Sequence, residues 1–476
     1  MDTHTIAATA VGAPALAGIL DLQRQAHRAD PAPGCERRLD RLDRLARINE
    51  QHCDDIAAAI CADFGHRSTQ ETLLSEVLMV GAAIRNARRH LRAWMKPRRV
   101  ATPLHYLPAS NRLMRQPLGV VGVVSPWNYP YQLAIGPAVG AIAAGNRVMI
   151  KPSELTPRFS ELLDRLVASH FSAEEVKVVQ GDADLARAFV ALPFDHLLFT
   201  GSTAVGREVA QVAARNLTPV TLELGGKSPA LIDASCDFAV AAPRIAFGKW
   251  LNAGQTCIAP DYLLVPRGRA HALADSLAAA VGKLYPSIAG NADYSSIVSD
   301  RHMQRLCGLL ADAVRQGATL RPLGQHAPAE RKLAPTLVLG ATRSMLVMRE
   351  EIFGPVLPIV EYESLGDAIE FINAGERPLA LYWFGSDRAN RERVLAQTLS
   401  GGATVNDCLW HFAQEGQPFG GVGASGVGAY HGEWGFRTFS KEKPVFLQSR
   451  LNGIGLLHPP YGKTFDRMLS LLKRIA

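Results

Sequence analysis

Two stretches of this sequence carry residue types that could perform covalent chemistry. Cys257 ends the segment 252–257 (NAGQTC), and Glu223 begins the segment 223–229 (ELGGKSP). A thiol can attack an electrophilic carbon, and a carboxylate can activate the water that releases what the thiol has captured. Glycines in both segments let the backbone approach a ligand closely. Together the segments predict a reaction that passes through a covalent intermediate on sulfur.

Taken singly, each of these residues also has a plain structural explanation. A cysteine is most often a buried structural thiol, and a lowered pKa or a positioned partner is needed to make it a nucleophile. Glu223 could be a surface carboxylate or half of an ion pair at a strand end. Against that, it follows the apolar segment 220–222, where burial would raise its pKa toward neutrality and suit it to general base catalysis.

A third candidate is Asn128, which lies in the segment 125–130 (SPWNYP). When a thiol attacks a carbonyl, negative charge develops on the carbonyl oxygen. An amide side chain, together with the backbone N–H of Cys257, could stabilise that charge. Asparagine between two prolines is also a common turn residue, so the residues alone leave both explanations open.

Two glycine-rich segments compete for a phosphate-binding role. Residues 421–426 (GVGASG) match the pattern G-x-G-x-x-G, but no strand pattern precedes them and no helix pattern follows, as a dinucleotide fingerprint requires. They predict a flexible loop near the substrate entrance. Residues 201–206 (GSTAVG) follow an apolar strand and open a helix, whose N-terminal N–H groups can bind a diphosphate. We therefore expect the cofactor at 201–206.

A charged segment, 151–154 (KPSE), follows the strand-like residues 148–150. Ligands gather at the carboxyl ends of strands in open α/β sheets. Lys151 and Glu154 could therefore bind the ribose hydroxyls of adenosine, and Glu154 would disfavour a 2′-phosphate. A charged, solvent-exposed loop without a ligand is the alternative explanation.

The order of these motifs, ELGGKSP and then GQTC, resembles the aldehyde dehydrogenase superfamily over about residues 36–450. Segments 406–407, 418–423, 430–432 and 436–440 resemble its class 3 branch, and 254–262 and 379–383 are most similar to its coniferyl aldehyde dehydrogenases. The resemblance implies an α/β fold with a Rossmann-type cofactor domain, an α/β catalytic domain and a small β oligomerisation extension. It also implies oxidation of an aldehyde, a large aromatic one such as coniferyl aldehyde, to its acid.

The resemblance also assigns roles to individual residues. Cys257 forms a thiohemiacetal and then a thioester, Glu223 is the base for its hydrolysis, and Asn128 stabilises the oxyanion. The implied cofactor is NAD, with NADP as the alternative, and its implied contacts are Ser125, Trp127, Lys151, Ser153, Glu154, Gly201, Ser202, Val205, Gly206, Leu224, Glu351 and Phe353. Substrate walls are assigned to Tyr129, Trp250, Ile258 and Trp410, although such residues also serve as ordinary core. No metal site is expected.

Other functions stay open at this point. A fatty or other medium- or long-chain aldehyde is the alternative substrate. A thioester or ester hydrolase would use the same thiol without NAD(P), and a binding protein on this fold would have no turnover. The joint presence of Cys257, Glu223 and Asn128 favours the dehydrogenase over both.

Composition and charge argue against several classes of protein. The chain has 476 residues, of which 47% are hydrophobic and 20% charged, as in a globular protein of two or three domains. The net charge of +7 is spread out, and the basic stretch 85–99 has the spacing of an exposed helix face, so we expect no nucleic-acid partner. Seven cysteines without zinc-ligand spacing indicate a reduced, cytoplasmic protein. The longest apolar stretch, 131–145, contains a proline and is too short to span a bilayer.

Hydrophobic periodicity predicts interleaved domains. Helices are expected over 36–64 and, after a candidate capping box at Ser68 and Glu71, as far as Trp94, followed by strands alternating with helices from Leu118 as in a doubly wound sheet. The predicted limits are 1–101 for N-terminal helices and the start of the cofactor domain, 102–117 for an oligomerisation hairpin, 118–225 for the NAD(P)-binding domain, 226–430 for the catalytic domain, and 431–476 for a return segment, an oligomerisation strand and a C-terminal helix.

The C-terminal helix is expected to be amphipathic. Phe465, Met468, Leu469, Leu472 and Ile475 share one helical face, with basic residues beside it. We expect this face to dock on its own domain, with weak attachment to a lipid surface as the alternative. By resemblance to class 3 relatives, the protein is expected to be a homodimer.

Overall fold

The computed structural model describes residues 13–475. Its helices are α1 (Ala13–Ala29), α2 (Cys35–Gln51), α3 (Cys53–Phe64), α4 (Thr69–Thr72), α5 (Leu78–Met95), α6 (Pro130–Ala144), α7 (Pro157–His170), α8 (Ala183–Val190), α9 (Thr203–Ala214), α10 (Phe238–Trp250), α11 (Ala270–Leu284), α12 (Asp300–Arg315), α13 (Leu346–Arg349), α14 (Leu365–Asn373), α15 (Arg388–Gln397), α16 (Gly432–Thr438) and α17 (Lys463–Ile475). A π-helical turn (Leu73–Val77) joins α4 to α5.

The strands form three separate sheets. They are β1 (Arg98–Val100), β2 (Ser110–Pro117), β3 (Val120–Val124), β4 (Arg147–Lys151), β5 (Val176–Val178), β6 (His196–Gly201), β7 (Val220–Leu224), β8 (Pro229–Ile232), β9 (Tyr262–Pro266), β10 (Thr319–Pro322), β11 (Thr336–Leu339), β12 (Val356–Tyr362), β13 (Ala380–Phe384), β14 (Gly402–Val405), β15 (Gly426–Val427) and β16 (Ser440–Leu447).

The first sheet has the strand order β15-β7-β6-β3-β4-β5, and every strand except β15 runs parallel to its neighbours. The chain starts at the central strand β3, moves outward to β4 and β5, and returns to β6 and β7 on the other side. Such a reversal of strand order opens a crevice at the carboxyl ends of the strands. Apolar residues of α1, α8 and α9 cover one face of the sheet, and α6 and α7 cover the other.

The second sheet has the order β10-β11-β12-β9-β8-β13-β14 and is parallel except at β10. Residues 225–228 lead from β7, the last parallel strand of the first sheet, to β8 at the middle of the second. The prediction of a mixed α/β fold with parallel sheets is confirmed. The loop 225–228 also brings the ends of both sheets to the same part of the molecule.

The third sheet is small and antiparallel, with the order β1-β2-β16. It unites the predicted hairpin with the C-terminal strand, although β1 lies before residue 102 and β2 begins only at Ser110. The strand β15 comes from the segment predicted to be catalytic but pairs with β7 of the first sheet. The sheets are therefore interleaved along the chain, while the five domain limits stay a prediction.

The glycine-rich segment 421–426 differs in position from what the sequence suggested. It does not contribute to the lining of the cavity that contains Cys257 and instead packs beside β7, where Gly426 pairs with Glu223. Its residues lie so close together that a Cβ on Gly421 would collide with the backbone of Ser425. The expectation of a loop at the substrate entrance was wrong, because β-bridge pairing to the sheet edge fixes this segment.

The expected capping box at the start of α4 is only half formed. The Ser68 hydroxyl accepts a hydrogen bond from the Glu71 N–H (3.3 Å). The Glu71 carboxylate does not return to Ser68 but accepts from the N–H of Asn252 (3.1 Å). A tertiary contact has therefore replaced the local bond that the sequence pattern predicted.

The C-terminal helix α17 approaches the short helical turn Leu104–Tyr106 beside the third sheet. Phe465, Met468, Leu469 and Leu472 are half-buried, whereas Leu471 is exposed. The side chain of Ile475 lies outside the described residues. Between Ala13 and Ile475, no helix is both long and apolar enough to cross a membrane.

Candidate active site

Cys257 faces a cavity whose empty volume, including the space open to solvent, is about 690 Å³. The walls come from the π-helical turn, the first turn of α6, the end of α10 and the loop after β14. The lining residues are Leu74, Ser75, Met79, Tyr129, Gln132, Leu133, Phe247, Leu251, Thr256, Cys257, Ile258, Leu409, Trp410, Phe412 and Ala413. Nearly all of the surface that faces the cavity is apolar, so the thiol stands alone as a reactive group in its wall.

The turn that leads to this thiol has an unusual backbone. Asn252, Ala253 and Gly254 have φ angles of 52°, 51° and 75°. The left-handed conformation costs about 1–2 kcal/mol for each residue with a Cβ, so neighbours must hold it. The Asn252 N–H donates to the Glu71 carboxylate (3.1 Å), and its side-chain amide donates to the carbonyl oxygen of Asn128 (3.1 Å). Tertiary contacts therefore sustain the backbone on which the thiol is presented.

Asn128 is tied to the same turn. Its Nδ2 donates to the carbonyl oxygen of Gln255 (3.1 Å), which leaves the second amide hydrogen available for another acceptor. Its own carbonyl oxygen accepts from the buried Arg67 Nη1 (2.8 Å), and Arg67 pairs with the buried Glu76 (3.1 Å). This network fixes the amide of Asn128 beside the residues that precede Cys257.

Glu223 is the buried penultimate residue of β7, and neither carboxylate oxygen has a hydrogen-bond partner among the described residues. Burial raises its pKa well above the usual range. Burial, together with the charges of Glu351 and Glu223, raises the pKa of the Cys257 thiol to about 12. A Cβ on Gly225 would collide with the Glu351 carboxylate, so this glycine lets the second acid pack against the backbone that follows Glu223. Both acids thus act electrostatically on the thiol and favour its protonated form.

The loop that carries Glu351 and Phe353 is held by a partly buried ion pair. Lys227, from the ELGGKSP segment, pairs with Asp261 and donates to the backbone carbonyls of Val347 in α13 (2.7 Å) and of Glu350 at the start of the loop (2.9 Å). Asp261 accepts from the N–H of Ile352 (3.0 Å). Burial, with the charge of Asp261, raises the pKa of Glu351 to about 8. Lys227 therefore has a positioning role for this loop.

Three of the predicted cofactor residues, Ser125, Lys151 and Glu154, lie at the carboxyl edge of the first sheet. Val124 lies opposite Lys151 in the parallel register, and the Ser125 N–H donates to the Lys151 carbonyl oxygen (3.1 Å). Lys151 is buried, with its ammonium on the carbonyl oxygen of Pro152 (2.7 Å), and burial lowers its pKa. Glu154 is exposed beside it. This edge offers one cation and one anion at the rim of the crevice.

The segment 201–206 begins α9 directly after β6. The Ser202 hydroxyl accepts from the Val205 N–H (3.4 Å) and caps the helix. Gly206 packs against the side chain of Leu224, where a Cβ would clash. The N-terminal N–H groups of α9 are thereby presented at the same crevice as Lys151, and the set fits a dinucleotide diphosphate.

Two predicted aromatic contacts are brought together at the mouth of that crevice. Trp127 lies edge to face with Phe353, with ring centroids 5.4 Å apart. Phe353 has a φ of 50°, a strained conformation that directs its ring toward Trp127. Trp127 also contacts His302 edge to face (5.1 Å), a neighbour that the sequence did not single out.

Three of the four predicted substrate residues line the cavity: Tyr129, Ile258 and Trp410. Trp250 does not, and its assignment to the cavity wall was wrong. It is fully buried, and its Nε1 donates to the carbonyl oxygen of Pro355 (3.1 Å). Its position on α10 turns the ring into the core behind the turn 252–254.

The roles of several charged residues at the site were missed from the sequence. The contacts of Arg67, Asp261 and Glu71, which was expected only to cap its own helix, were not predicted because their partners lie far away along the chain. Lys249 is fully buried without a hydrogen-bond partner for its ammonium among the described residues, and burial lowers its pKa to about 8. Within residues 13–475 no cluster of His, Cys, Asp and Glu is placed to hold a metal ion.

Comparison of the sequence with known proteins identifies relatives over nearly the whole chain. The model of the aldehyde dehydrogenase family matches residues 20–445. The Pseudomonas aeruginosa protein named "Probable coniferyl aldehyde dehydrogenase" is 50% identical over 447 residues, 94% of each chain. The coniferyl aldehyde dehydrogenase of Pseudomonas sp. strain HR199 is 45% identical over 468 residues, 97% of each chain.

Comparison of the structure gives the same family. The substrate-bound AldH of Staphylococcus aureus superposes with a TM-score of 0.91 at 38% identity, covering 96% of this chain and 99% of that one. An aldehyde dehydrogenase of Mycobacterium tuberculosis complexed with NAD⁺ has a TM-score of 0.84 at 27% identity, covering 93% and 92%.

Proposed function

The chain belongs to the aldehyde dehydrogenase family as an NAD(P)-dependent enzyme, and from this premise we propose that it oxidises a large apolar aldehyde, coniferyl aldehyde first, to the carboxylic acid. The observation that carries the proposal is the Cys257 thiol in the wall of a cavity that is otherwise nearly all apolar. Flat aromatic substrates bind such walls through area burial and ring contacts. The names of the Pseudomonas relatives support this substrate class.

In the first half of the reaction, Cys257 attacks the aldehyde carbon and forms a thiohemiacetal. The oxygen that becomes negative accepts from the free amide hydrogen of Asn128 and from the backbone N–H of Cys257. The thiol must first lose its proton, and the carboxylates of Glu223 and Glu351, whose charges act on the thiol, are the proposed acceptors. When bound, the nicotinamide cofactor supplies the acceptor for hydride, which leaves a thioester on sulfur.

In the second half, Glu223 activates water for hydrolysis of the thioester. Its unpartnered oxygens and raised pKa suit a group that takes a proton near neutral pH. A base of this kind directs the acyl group to water and thus to a free acid. Cys257 is regenerated as a thiol.

A long-chain aliphatic aldehyde is the second candidate substrate. The cavity carries no charged side chain in its lining, so an alkyl chain buries area there without leaving a charge unpaired. Polar contacts are few, with Ser75, Gln132 and Thr256 as the uncharged polar residues of the lining besides the hydroxyl of Tyr129. An aromatic ring with polar substituents could use these polar contacts, whereas an alkyl chain could not, and this difference separates the two candidates.

NAD is the proposed cofactor, with NADP as the alternative. Glu154 is exposed at the rim of the crevice, and its charge raises the pKa of the neighbouring Lys151 against the effect of burial. A carboxylate at this place repels the 2′-phosphate of NADP, while it can accept from a ribose hydroxyl of NAD.

A homodimer formed through the third sheet is proposed. Exposed apolar residues cluster there: Val100, Leu104, Tyr106, Leu107, Phe446 and Leu447. Apolar residues at a sheet edge favour pairing with another chain. All seven cysteines are unpaired, which supports a cytoplasmic location.

A steady-state panel tests the proposed function. Coniferyl aldehyde, cinnamaldehyde, benzaldehyde and decanal are each assayed with NAD and with NADP. We expect the highest kcat/KM for coniferyl aldehyde with NAD. A preference for decanal would select the second candidate, and ester turnover without any nucleotide as the main activity would favour a hydrolase.

A further inference from the structure

Glu71 is a half-buried carboxylate that the reaction as described does not use. It lies in the first turn of α4, and its Oε2 accepts from the N–H of Asn252 (3.1 Å) and from the hydroxyl of Ser295 (2.8 Å). Burial raises its pKa to about 7, with the nearby Arg67 charge opposing this shift. The carboxylate therefore binds two groups that are remote in sequence and does not cap its own helix.

The bond to Asn252 falls on the left-handed turn in front of the nucleophile. Asn252 is fully buried, so its N–H would have no other acceptor if the carboxylate were removed. The carbonyl oxygen of Gln255, just beyond the turn, accepts from the amide of Asn128. A relaxed turn would therefore displace the thiol and the oxyanion donor relative to each other.

The backbone of Glu71 is also connected to the wall of the aldehyde cavity. The π-helical turn begins two residues after Glu71 and supplies Leu74 and Ser75 to the cavity wall. The Ser75 hydroxyl donates to the backbone carbonyl of Glu71 (2.5 Å). Glu71 thus joins the wall that contacts substrate to the turn that presents sulfur.

We propose that Glu71 is a positioning residue, which holds the turn 252–254 through the Asn252 N–H and so places Cys257 against the amide of Asn128. The inference rests on the proposed role of Cys257 as nucleophile. Loss of the bond slows thiohemiacetal formation, because misplacement by about 1 Å can cost on the order of 100-fold in rate. The bond from Ser75 to the backbone carbonyl of residue 71 does not involve the carboxylate, so the cavity that binds the aldehyde should be unchanged.

The test is a rapid-mixing measurement of the NADH burst with the holoenzyme and its best aldehyde. Glu71→Ala should lower the burst rate constant at least about tenfold, with KM within about threefold of wild type. Glu71→Gln should restore the rate constant to within about threefold, since its amide oxygen can accept from Asn252 and its amide can donate to Ser295. Glu71→Asp, which keeps the charge but shortens the reach, should slow the burst even if the alanine variant does not fold.

The controls separate positioning from stability. Ser68→Ala removes the N-cap of the same helix and should lower Tm while leaving the burst rate constant unchanged. A general structural role for Glu71 predicts a smaller burst amplitude at a wild-type rate constant, and that result would overturn the proposal. If Cys257→Ser keeps its NADH burst, the assigned nucleophile is wrong. If Cys257→Ser loses the burst but Glu71→Asp and any folded Glu71→Ala react at the wild-type rate, the nucleophile stands and the positioning role of Glu71 is wrong.

Discussion

The carboxyl edge of the first sheet and the cavity in front of Cys257 hold their residues in different ways. At the sheet edge, Lys151 and the segment 201–206 follow directly from regular strands and a helix start. In front of the thiol, the turn 252–254 adopts left-handed backbone and depends on Glu71 and Asn128. One region is built by local sequence order, and the other by contacts between distant segments.

Because of this difference, we expect substitutions in the two regions to have different effects. Changes at the sheet edge alter the ligand that is bound there without disturbing the framework, since hydrogen bonds of the strands hold it. Changes around the turn alter geometry even where the replaced side chain never touches a substrate. Five predictions test whether the two regions are separable in this way.

The largest effect is expected for Cys257→Ala. Removal of the nucleophile should lower NADH formation by on the order of 1000-fold or more, while NAD affinity stays within about threefold, because the sheet edge is untouched. Steady-state assays and calorimetric titration with NAD measure the two quantities. Retained oxidation would contradict the assigned nucleophile, and lost NAD binding would show that the regions are not separable.

Glu223→Gln should slow the release of the acyl group by about 100-fold. Hydride transfer precedes that step, so a burst of NADH should remain while the steady-state rate falls. Quenched-flow and acid trapping of the thioester on Cys257 would show accumulation of the acyl enzyme. An unchanged steady state would remove Glu223 from the mechanism.

The pH dependence of thiol alkylation tests the electrostatics of the cavity wall. The pKa of Cys257 is raised to about 12, so the thiolate fraction is small at pH 7 and grows about tenfold with each pH unit below that pKa. Modification of Cys257 by iodoacetamide in the cofactor-free enzyme should therefore accelerate about tenfold per unit from pH 7 to 9. A plateau below pH 8 would indicate a thiol of lower pKa.

Glu154→Ser should change only the preference between NAD and NADP. Without the carboxylate, kcat/KM with NADP should rise about tenfold relative to NAD, and KM for the aldehyde should stay the same. Paired assays with both nucleotides measure the ratio. An unchanged ratio would mean that the 2′-phosphate does not approach Glu154.

Trp410→Ala should change only the KM for a large aldehyde. The ring is partly exposed at the cavity wall, and loss of about 1 kcal/mol of apolar contact corresponds to a rise of about fivefold in KM for coniferyl aldehyde. KM for acetaldehyde should hardly change because so small a substrate does not reach the indole. Equal effects on both aldehydes would contradict a wall contact.

Sequence patterns predicted correctly those features that depend on residues adjacent in the chain. The predicted α/β fold is confirmed, and the strand-to-helix start at 201–206 follows from the change of hydrophobic period between β6 and α9. Patterns failed where contacts between distant segments decided the position of a side chain. Glu71 was expected to cap its own helix, yet it binds Asn252, and Trp250 was expected in the substrate wall, yet it packs in the core.

The sequence alone determined the family, the α/β layering and the identity of the reactive groups, since strand and helix periods and short motifs are local properties of the chain. Tertiary structure alone decided which groups surround the thiol. Burial of Glu223 and Glu351 next to Cys257 raises all three pKa values, and this burial arises only when the ends of two sheets meet. Desolvation depends on everything that packs around a group, so no single segment of sequence can encode it.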